Sequence, residues 1–371
     1  AQESAGGCNM GSGFSLRAGR FWLGKLVYWC FIAGLAGLLL IYFCRVSGVG
    51  GHGPAKIERL LAGRADRPYI YRALLPAAAN LLSPLLDPRL AARIGAVAER
   101  ALGENFFLRR FDGAEYPSQA VLILVMMYLS LVGFGAVAFQ FLADLGYFPW
   151  VRYLGAVALL LGTAPFMQFG YIYDFTTLFM FSLGLLLMFR GQWGAYVVVF
   201  ALGTLNKETT IFLSLIFVLY YWHRLPRRRL LGLLTIQLAM YGLVQGILRF
   251  VYRQNPGSAA LWHLPDQVAA FKALALSDPF RLALTGVSLM IVAALIAYRW
   301  SQKPKILRNG LAILPLFLVL FMLWGYPNEF RVLLEVYPIV AILVLPPQLI
   351  LSAFQDRRHR HKEAALAIPA A

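Results

Sequence analysis

Charged residues are scarce in this chain: they make up 14% of its 371 residues, whereas about 25% of an ordinary soluble domain is charged. Acidic residues are scarcer than basic ones, with 17 against 34. Hydrophobic residues make up 60% of the chain. Apolar spans use up nearly the whole length, so no stretch remains that could bury a separate soluble core. The composition predicts an all-α, multi-pass membrane protein in which residues 1–371 form a single membrane-embedded domain.

Cysteine is also rare, and its placement excludes a disulfide framework. Cys8 lies in the polar amino-terminal tail, while Cys30 and Cys44 lie on the first apolar span, about 21 Å apart along a helix and beyond disulfide reach. The five histidines show no metal-ligand spacing. We therefore expect no structural metal, and whether a divalent cation serves as a cofactor stays open. The first span lacks a suitably placed cleavage site and is expected to be a retained anchor.

Ten apolar runs are candidates for membrane crossings, since a crossing needs about 20 residues. The fourth, fifth, sixth and ninth are short, which indicates ends that lie in the headgroup region or inside the protein. The predicted spans are Leu26–Cys44, Ala120–Leu142, Tyr153–Phe169, Phe175–Phe189, Trp193–Leu205, Thr210–Trp222, Leu230–Phe250, Leu282–Tyr298, Leu311–Trp324 and Leu333–Phe354.

The distribution of basic residues predicts the orientation. The termini and alternate connections, among them the run from Arg224 to Arg229, hold 17 of the 34 basic residues but four of the 17 acidic ones. By the positive-inside rule these pieces are cytoplasmic, which places both termini on the cytoplasmic side of the membrane. Dispersal of the basic residues through short loops excludes a nucleic-acid groove, and no protein partner is indicated.

Residues 46–118 form a long first loop on the outer face. Apolar residues recur at helical spacing from Tyr69 to Leu86 and again from Leu90 to Phe107, with arginines interspersed. Helices with one basic and one apolar face suit the membrane interface. The loop is therefore predicted to carry amphipathic helices that lie on the membrane.

Four short clusters of ionisable residues fall at the outer ends of the spans. Ionisable side chains near hydrocarbon depth cost roughly 2.5–3.5 kcal/mol each on insertion scales, so they indicate function. Their common side predicts one shared polar site. The clusters are Asp66-Arg67-Pro68-Tyr69, Tyr173-Asp174-Phe175, Asn206-Lys207-Glu208 and Asn328-Glu329-Phe330-Arg331.

The order of these strings resembles the GT-C superfamily of polyprenyl-phosphate-sugar-dependent glycosyltransferases. The resemblance is to bacterial members, whose enzymes lie in the inner (plasma) membrane, and it covers most of the chain. It rests on the strings Leu60-Leu61-Ala62-Gly63, Tyr69-Ile70-Tyr71-Arg72-Ala73-Leu74-Leu75-Pro76, Tyr173-Asp174-Phe175, Leu205-Asn206-Lys207-Glu208-Thr209 and Glu329-Phe330-Arg331-Val332-Leu333-Leu334. It implies a GT-C-like helix bundle that moves a sugar from a polyprenyl-phosphate lipid to a glycan or lipid acceptor on the periplasmic face. Members usually carry an aspartate soon after the first span, where this chain has Gly48-Val49-Gly50-Gly51-His52-Gly53.

Such a transfer needs a general base to deprotonate the acceptor hydroxyl, and a partly buried carboxylate can serve. Asp66 is the first candidate, although its arginine neighbours also suit a solvated ion pair. Asp112 is the second, and its Asp-Gly context equally fits a turn. Asp174 is the third, and it equally fits the cap of the helix that follows.

The donor phosphate and the sugar need charged ligands. Lys207 can neutralise a phosphate and Glu208 can orient it, or the two form a self-contained ion pair. Arg331 suits bidentate contact with a phosphate, or it pairs with Glu335 one turn later at a helix end. The predicted substrate-binding residues are Arg67, Arg72, Lys207, Glu208, Glu329, Arg331 and Glu335.

Two other functions compete with glycosyl transfer. A transporter or flippase would favour charges at the bilayer midplane and repeated halves, whereas the charges here cluster at one face. A non-catalytic assembly factor of the same fold is favoured by the absence of the early aspartate. The sequence leaves the sugar, the acceptor and the oligomeric state open.

Overall fold

The computed structural model describes residues 12–47, 55–102, 116–168, 170–258, 262–327 and 329–351, and this part of the chain is helical and contains no strand. Short 3-10 helices connect several of the α-helices. The α-helices are α1 (Ser12–Val46), α2 (Ile57–Leu61), α3 (Leu74–Leu82), α4 (Pro88–Leu102), α5 (Pro117–Asp144), α6 (Pro149–Leu161), α7 (Asp174–Arg190), α8 (Trp193–Asn206), α9 (Phe212–Tyr221), α10 (Arg227–Val251), α11 (Leu264–Ser277), α12 (Pro279–Ala297), α13 (Lys305–Gly310), α14 (Ile313–Trp324) and α15 (Tyr337–Val344).

Six helical segments in the described residues are long and apolar enough to cross a membrane, as in a multi-pass membrane protein. They are Trp22–Val46, Pro117–Asp144, Pro149–Met167, Arg227–Val251, Pro279–Ala297 and Lys305–Trp324. The other four predicted spans correspond to shorter helices, namely α7, α8, α9 and α15. The predicted run Leu333–Phe354 is interrupted: α15 has eight residues, because prolines at 346 and 347 end it and a 3-10 helix follows.

Helix α7 occupies the centre of the bundle and packs against α5 and α8. Most of its 17 residues are buried, including Phe175, Leu178 and Phe181. Close approach to α5 depends on Gly133, since a Cβ atom there would lie 2.7 Å from the ring of Phe179. At 1.5 Å per residue α7 is about 25 Å long, so its two ends lie at opposite ends of the bundle.

The first loop folds into helices where the apolar spacing predicts them. The segments 69–71, 74–82, 83–85 and 88–102 are all helical. Leu81 and Leu85 are about 80% exposed (78% and 82%) while Leu75 and Ala79 are buried. One face of this helical segment therefore packs on the bundle and leaves apolar side chains outside, which agrees with an interfacial position.

A second loop holds the beginning of the first loop in place. The Asn255 side-chain amide donates to the carbonyls of Gly63 and Ala65 at 3.0 and 2.9 Å. The backbone N–H of Arg67 donates to the carbonyl of Pro256 at 2.8 Å, and the Arg67 guanidinium donates to that of Gly257 at 2.7 Å. The segment leading to Arg72 is thus anchored by the loop after α10.

Gly257 makes this anchoring contact possible, and its replacement is expected to loosen it. Gly257 has a φ of 88°, and a Cβ atom there would lie 2.6 Å from the Arg67 carbonyl oxygen. Strain of this kind costs about 1–3 kcal/mol. Gly257→Ala should therefore increase amide hydrogen exchange in residues 63–72, measured by mass spectrometry. Gly24→Ala, at a position in α1 with nothing within 4 Å, is the control. Unchanged exchange in Gly257→Ala would show that the two loops are held independently.

Candidate functional site

Charged side chains from four separate segments meet where helices begin or end. Arg72 follows the 3-10 helix Tyr69–Tyr71, and Asp174 begins α7. Lys207 and Glu208 connect α8 to the 3-10 helix Glu208–Ile211. Glu329, Arg331 and Glu335 lie between α14 and α15. These seven residues form three sets of ion pairs, and we call the three sets together the polar network.

Arg331 is the most firmly held cation of the polar network. Its Nη1 lies 3.2 Å from Oδ1 of Asp174, and its Nη2 pairs with Oε1 of Glu329. The guanidinium also packs over Tyr171, with Cζ 4.1 Å from the ring centroid. Asp174 in turn accepts a hydrogen bond from the backbone N–H of Tyr171 at 2.7 Å. With Arg331 3% exposed, this part of the network is closed to water.

Lys207 and Glu335 form a second buried pair. The Lys207 Nζ lies 2.8 Å from Oε1 of Glu335, and their side chains are 5% and 0% exposed. The distance between Nζ and Oε1 is short enough for an ion pair, but the Lys207 ammonium is not aligned to donate a hydrogen bond to this carboxylate. The hydroxyl of Thr209 donates to the same Oε1. The other oxygen, Oε2, is buried and has no hydrogen-bond partner in the described part of the chain.

Arg72 forms the most open part of the network. Its Nη1 donates to the Tyr173 hydroxyl, and its Nη2 lies 3.3 Å from Oε1 of Glu208. The Arg72 side chain is 10% exposed but that of Glu208 is 36% exposed. Glu208 is therefore the member of the network through which a ligand from outside can most easily approach.

Three tyrosines surround the two arginines. The clusters predicted from the sequence include Tyr69 and Tyr173 but indicate no role for any of the three. The rings of Tyr171 and Tyr173 stack with centroids 5.4 Å apart, and Tyr69 packs on Tyr171 at 5.6 Å. Arg72 lies over the ring of Tyr173 with Cζ 4.5 Å from its centroid. Tyrosine near a span end reads as an ordinary interfacial residue, so the sole signal was the repeated Tyr-x-Tyr in residues 69–71 and 171–173.

The charges of the network keep its more accessible carboxyls ionised. Burial raises the pKa of Glu208, but the charge of Arg72, a backbone hydrogen bond and Lys207 outweigh it, so the pKa lies below the ordinary value. Burial likewise opposes ionisation of Glu329, and Arg331 outweighs it, so this pKa is also lowered. Both groups should therefore be carboxylates at neutral pH, which leaves neither as a proton donor.

Several predicted pairings are wrong. Arg331 does not pair with Glu335, because residues 330–333 form a 3-10 helix followed by turns and the two side chains point to different partners. Lys207 and Glu208 do not form a self-contained pair, since extended backbone at Lys207 sends the two side chains apart. Asp174 is not the N-cap residue but the first residue of α7.

The remaining candidates lie apart from these pairs or outside the described residues. Asp66 pairs with Arg59 at 3.2 Å, and the Arg59 side chain is 51% exposed. Arg67 binds the carbonyl of Gly257. Asp112 and Asn328 lie outside the described residues. In the described residues no three His, Cys, Asp or Glu side chains are arranged to hold a metal ion.

No family model matches the chain, and neither the curated proteins nor the solved structures give a significant match.

Proposed function

We propose that the protein is a membrane glycosyltransferase of GT-C type that moves a sugar from a polyprenyl-phosphate carrier to a glycan or lipid acceptor on the outer face of a bacterial inner membrane. The observation that carries this proposal is the convergence of Arg72, Lys207 and Arg331 with four carboxylates on one buried site. A polar site of this kind at the edge of an apolar bundle suits a ligand with a charged head and an apolar chain.

The direction of α7 supports an outer-face site. Asp174 and the polar network lie at its first residue, whereas Arg190 at its last residue pairs with Asp144 at the end of α5. Arg190 belongs to the basic connections that the positive-inside rule places in the cytoplasm. The opposite end of α7, with Asp174, then lies toward the outer face. A layout of ten crossings, with the short helices α7, α8, α9 and α15 buried among longer ones, accommodates this arrangement.

The arginines and Lys207 would hold the donor phosphate. Charge-assisted hydrogen bonds to a phosphate contribute roughly 1.5–3 kcal/mol each in such surroundings. The Nε atoms of Arg72 and Arg331 are buried without a hydrogen-bond partner in the described part of the chain. Phosphate oxygens that reach these buried donors would accept hydrogen bonds from them, and the donors would stabilise the charge that the phosphate gains as the sugar departs.

Asp66, the first candidate from the sequence, would act as the base from the edge of the site, since it makes none of the ion pairs of the polar network. Its side chain is 22% exposed, and its backbone carbonyl accepts from Ile70 at the start of the turn that carries Arg72. The acceptor hydroxyl gives its proton to Asp66 while its oxygen bonds to the anomeric carbon. The bond from that carbon to the phosphate oxygen breaks, and its electron pair stays with the phosphate.

A non-catalytic assembly factor is the second candidate. The observation that favours it is the mutual pairing of Asp174, Glu329 and Arg331, which a purely structural network would also show. A transporter is less favoured because the charges gather at helix ends.

Sugar transfer by the purified protein tests the proposal. The protein in nanodiscs is incubated with a short polyprenyl-phosphate sugar and a panel of lipid and glycan acceptors, and released polyprenyl phosphate is measured. We expect release that depends on both the acceptor and the intact polar network. A folded protein that releases nothing with any acceptor would favour the assembly factor.

Asp66→Asn is expected to slow transfer about 100-fold, the lower end of what a general base contributes, and to leave donor binding unchanged. Turnover and donor affinity are measured separately. Arg59→Gln, which removes the Asp66 ion-pair partner, is the control and should retain most activity. Full activity in Asp66→Asn would remove Asp66 as the base and move the assignment to Asp112.

A further inference from the structure

Without Glu208, the polar network already has as many negative charges as positive ones. The three cations are Arg72, Lys207 and Arg331, and the three other carboxylates are Asp174, Glu329 and Glu335. Asp174 and Glu329 share Arg331, and Glu335 pairs with Lys207. Arg72 is the third buried cation, at 8% exposure, and its carboxylate partner is the half-exposed Glu208. A phosphate entering the site brings further negative charge into low-dielectric surroundings, where uncompensated charge is costly. One carboxylate of the network must therefore move for a phosphate to bind.

Glu208 is the carboxylate that can move at least cost. Its single contact with Arg72 is 3.3 Å long, and at 36% exposure its side chain can turn toward water and keep its charge solvated. Asp174, Glu329 and Glu335 have side-chain exposures of 2%, 14% and 0%. Moving any of these three would leave Arg331 or Lys207 without its partner in a buried position.

Arg72 also has unused hydrogen-bonding capacity. Nη2 makes one long contact with Glu208, and Nε has no hydrogen-bond partner in the described residues. Arg72 and Arg331 both lie over the ring of Tyr173, with Cζ 4.5 and 5.9 Å from its centroid. The two guanidinium charges therefore repel each other, and an anion beside them relieves the repulsion.

We propose that Glu208 is the resting counter-ion of Arg72 and that the phosphate group of a ligand displaces it, taking the Nε and Nη2 positions of Arg72. This inference rests on the proposed function for the kind of ligand, a phosphate ester with an apolar chain. A phosphate can bind the Nε and Nη2 edge with two parallel hydrogen bonds, whereas Glu208 uses one. Glu208 is thus an internal competitor that keeps the site closed until a phosphate arrives.

Removal of the Glu208 charge should strengthen phosphate binding. The free energy of a partly exposed ion pair corresponds to about a fivefold change in affinity, so we expect Glu208→Gln to bind phosphate about fivefold more tightly. Affinity is measured at low salt by calorimetry on the full chain in nanodiscs, with farnesyl phosphate and inorganic phosphate as separate probes. A gain with both probes shows that the phosphate group itself is recognised, and a gain with farnesyl phosphate alone shows that the lipid form is required.

Two controls distinguish displacement of Glu208 from Arg72 from the general effect of removing a negative charge. Asp278→Asn removes one negative charge on the same predicted face and keeps the cap of α12, and it should leave affinity unchanged. Adding Arg72→Gln to Glu208→Gln should abolish the gain. Glu208→Ala repeats the test if Glu208→Gln lowers the thermal stability. Unchanged or weaker binding in folded Glu208 variants, or a gain that survives without Arg72, would overturn the exchange. The sugar-transfer assay is separate, so its failure would leave this result standing.

Discussion

Arg331→Ala should strongly reduce donor-dependent sugar transfer and destabilise the protein more than any other single change in the arginine-containing part of the network. It leaves Asp174 and Glu329 as unpaired carboxylates with exposures of 2% and 14%. Breaking a buried ion pair by removing one partner costs about 3–5 kcal/mol. Loss of the phosphate contact adds a further 10- to 150-fold reduction in donor use. Thermal unfolding and transfer rates of the same preparation measure the two effects.

Arg331→Lys distinguishes a phosphate ligand from a helix-end anchor. Lysine keeps the charge but lacks the planar fork, with which Arg331 contacts Asp174 through Nη1 and Glu329 through Nη2. We expect stability to recover in part while donor use stays about tenfold reduced. Wild-type donor use in Arg331→Lys would assign Arg331 a structural role alone.

Arg190→Ala at the opposite end of α7 is the matched control. Arg190 also pairs with an aspartate, Asp144, but both side chains are partly exposed, at 31% and 21%. A pair with this exposure is worth about 0.2–1 kcal/mol. Arg190→Ala should therefore lower the unfolding temperature slightly and leave donor use unchanged. A similar loss of donor use in both arginine variants would indicate that general destabilisation, and not phosphate binding, explains the effect.

The convergence of three of the four polar clusters was predictable from the chain, because ionisable residues at the same ends of neighbouring spans have few places to lie. Asp174, Lys207, Glu208, Glu329, Arg331 and Glu335 do share one network with Arg72. The cluster at Asp66 and Arg67 is the exception, because Asp66 pairs with Arg59 and makes none of these ion pairs. Its position depends on the loop contacts of Arg67 with Pro256 and Gly257, which link residues about 190 positions apart.

The pairing inside the network could not be predicted from spacing. Arg331 and Glu335 have the four-residue separation that brings side chains together on an α-helix. Residues 330–333 instead form a 3-10 helix, in which three residues complete a turn and a four-residue pair is rotated apart. Extended backbone at Lys207 has the same consequence for Lys207 and Glu208. Helix length was misjudged for a related reason, since Leu333–Phe354 is mostly apolar but contains two consecutive prolines, which end α15.

The pair Lys207–Glu335 allows stability and function to be separated within one site. Lys207→Met leaves the fully buried carboxylate of Glu335 without a counter-charge, and Glu335→Met does the same to Lys207. Each single change should cost about 3–5 kcal/mol, whereas the double change to two methionines should return close to wild-type stability. The free energy of unfolding of all four proteins, measured in the same detergent, gives the coupling between the two residues.

Sugar transfer in the double variant then decides the role of Lys207. If Lys207 holds the donor phosphate, activity should stay about 10- to 150-fold reduced even though stability has returned. Lys303→Met is the control, because Lys303 is a second buried lysine whose Nζ donates to the carbonyls of Leu295 and Leu343 in a different part of the bundle. It should lose stability but keep donor affinity. Wild-type transfer in Lys207→Met/Glu335→Met would show that this pair stabilises the bundle and takes no part in binding the donor.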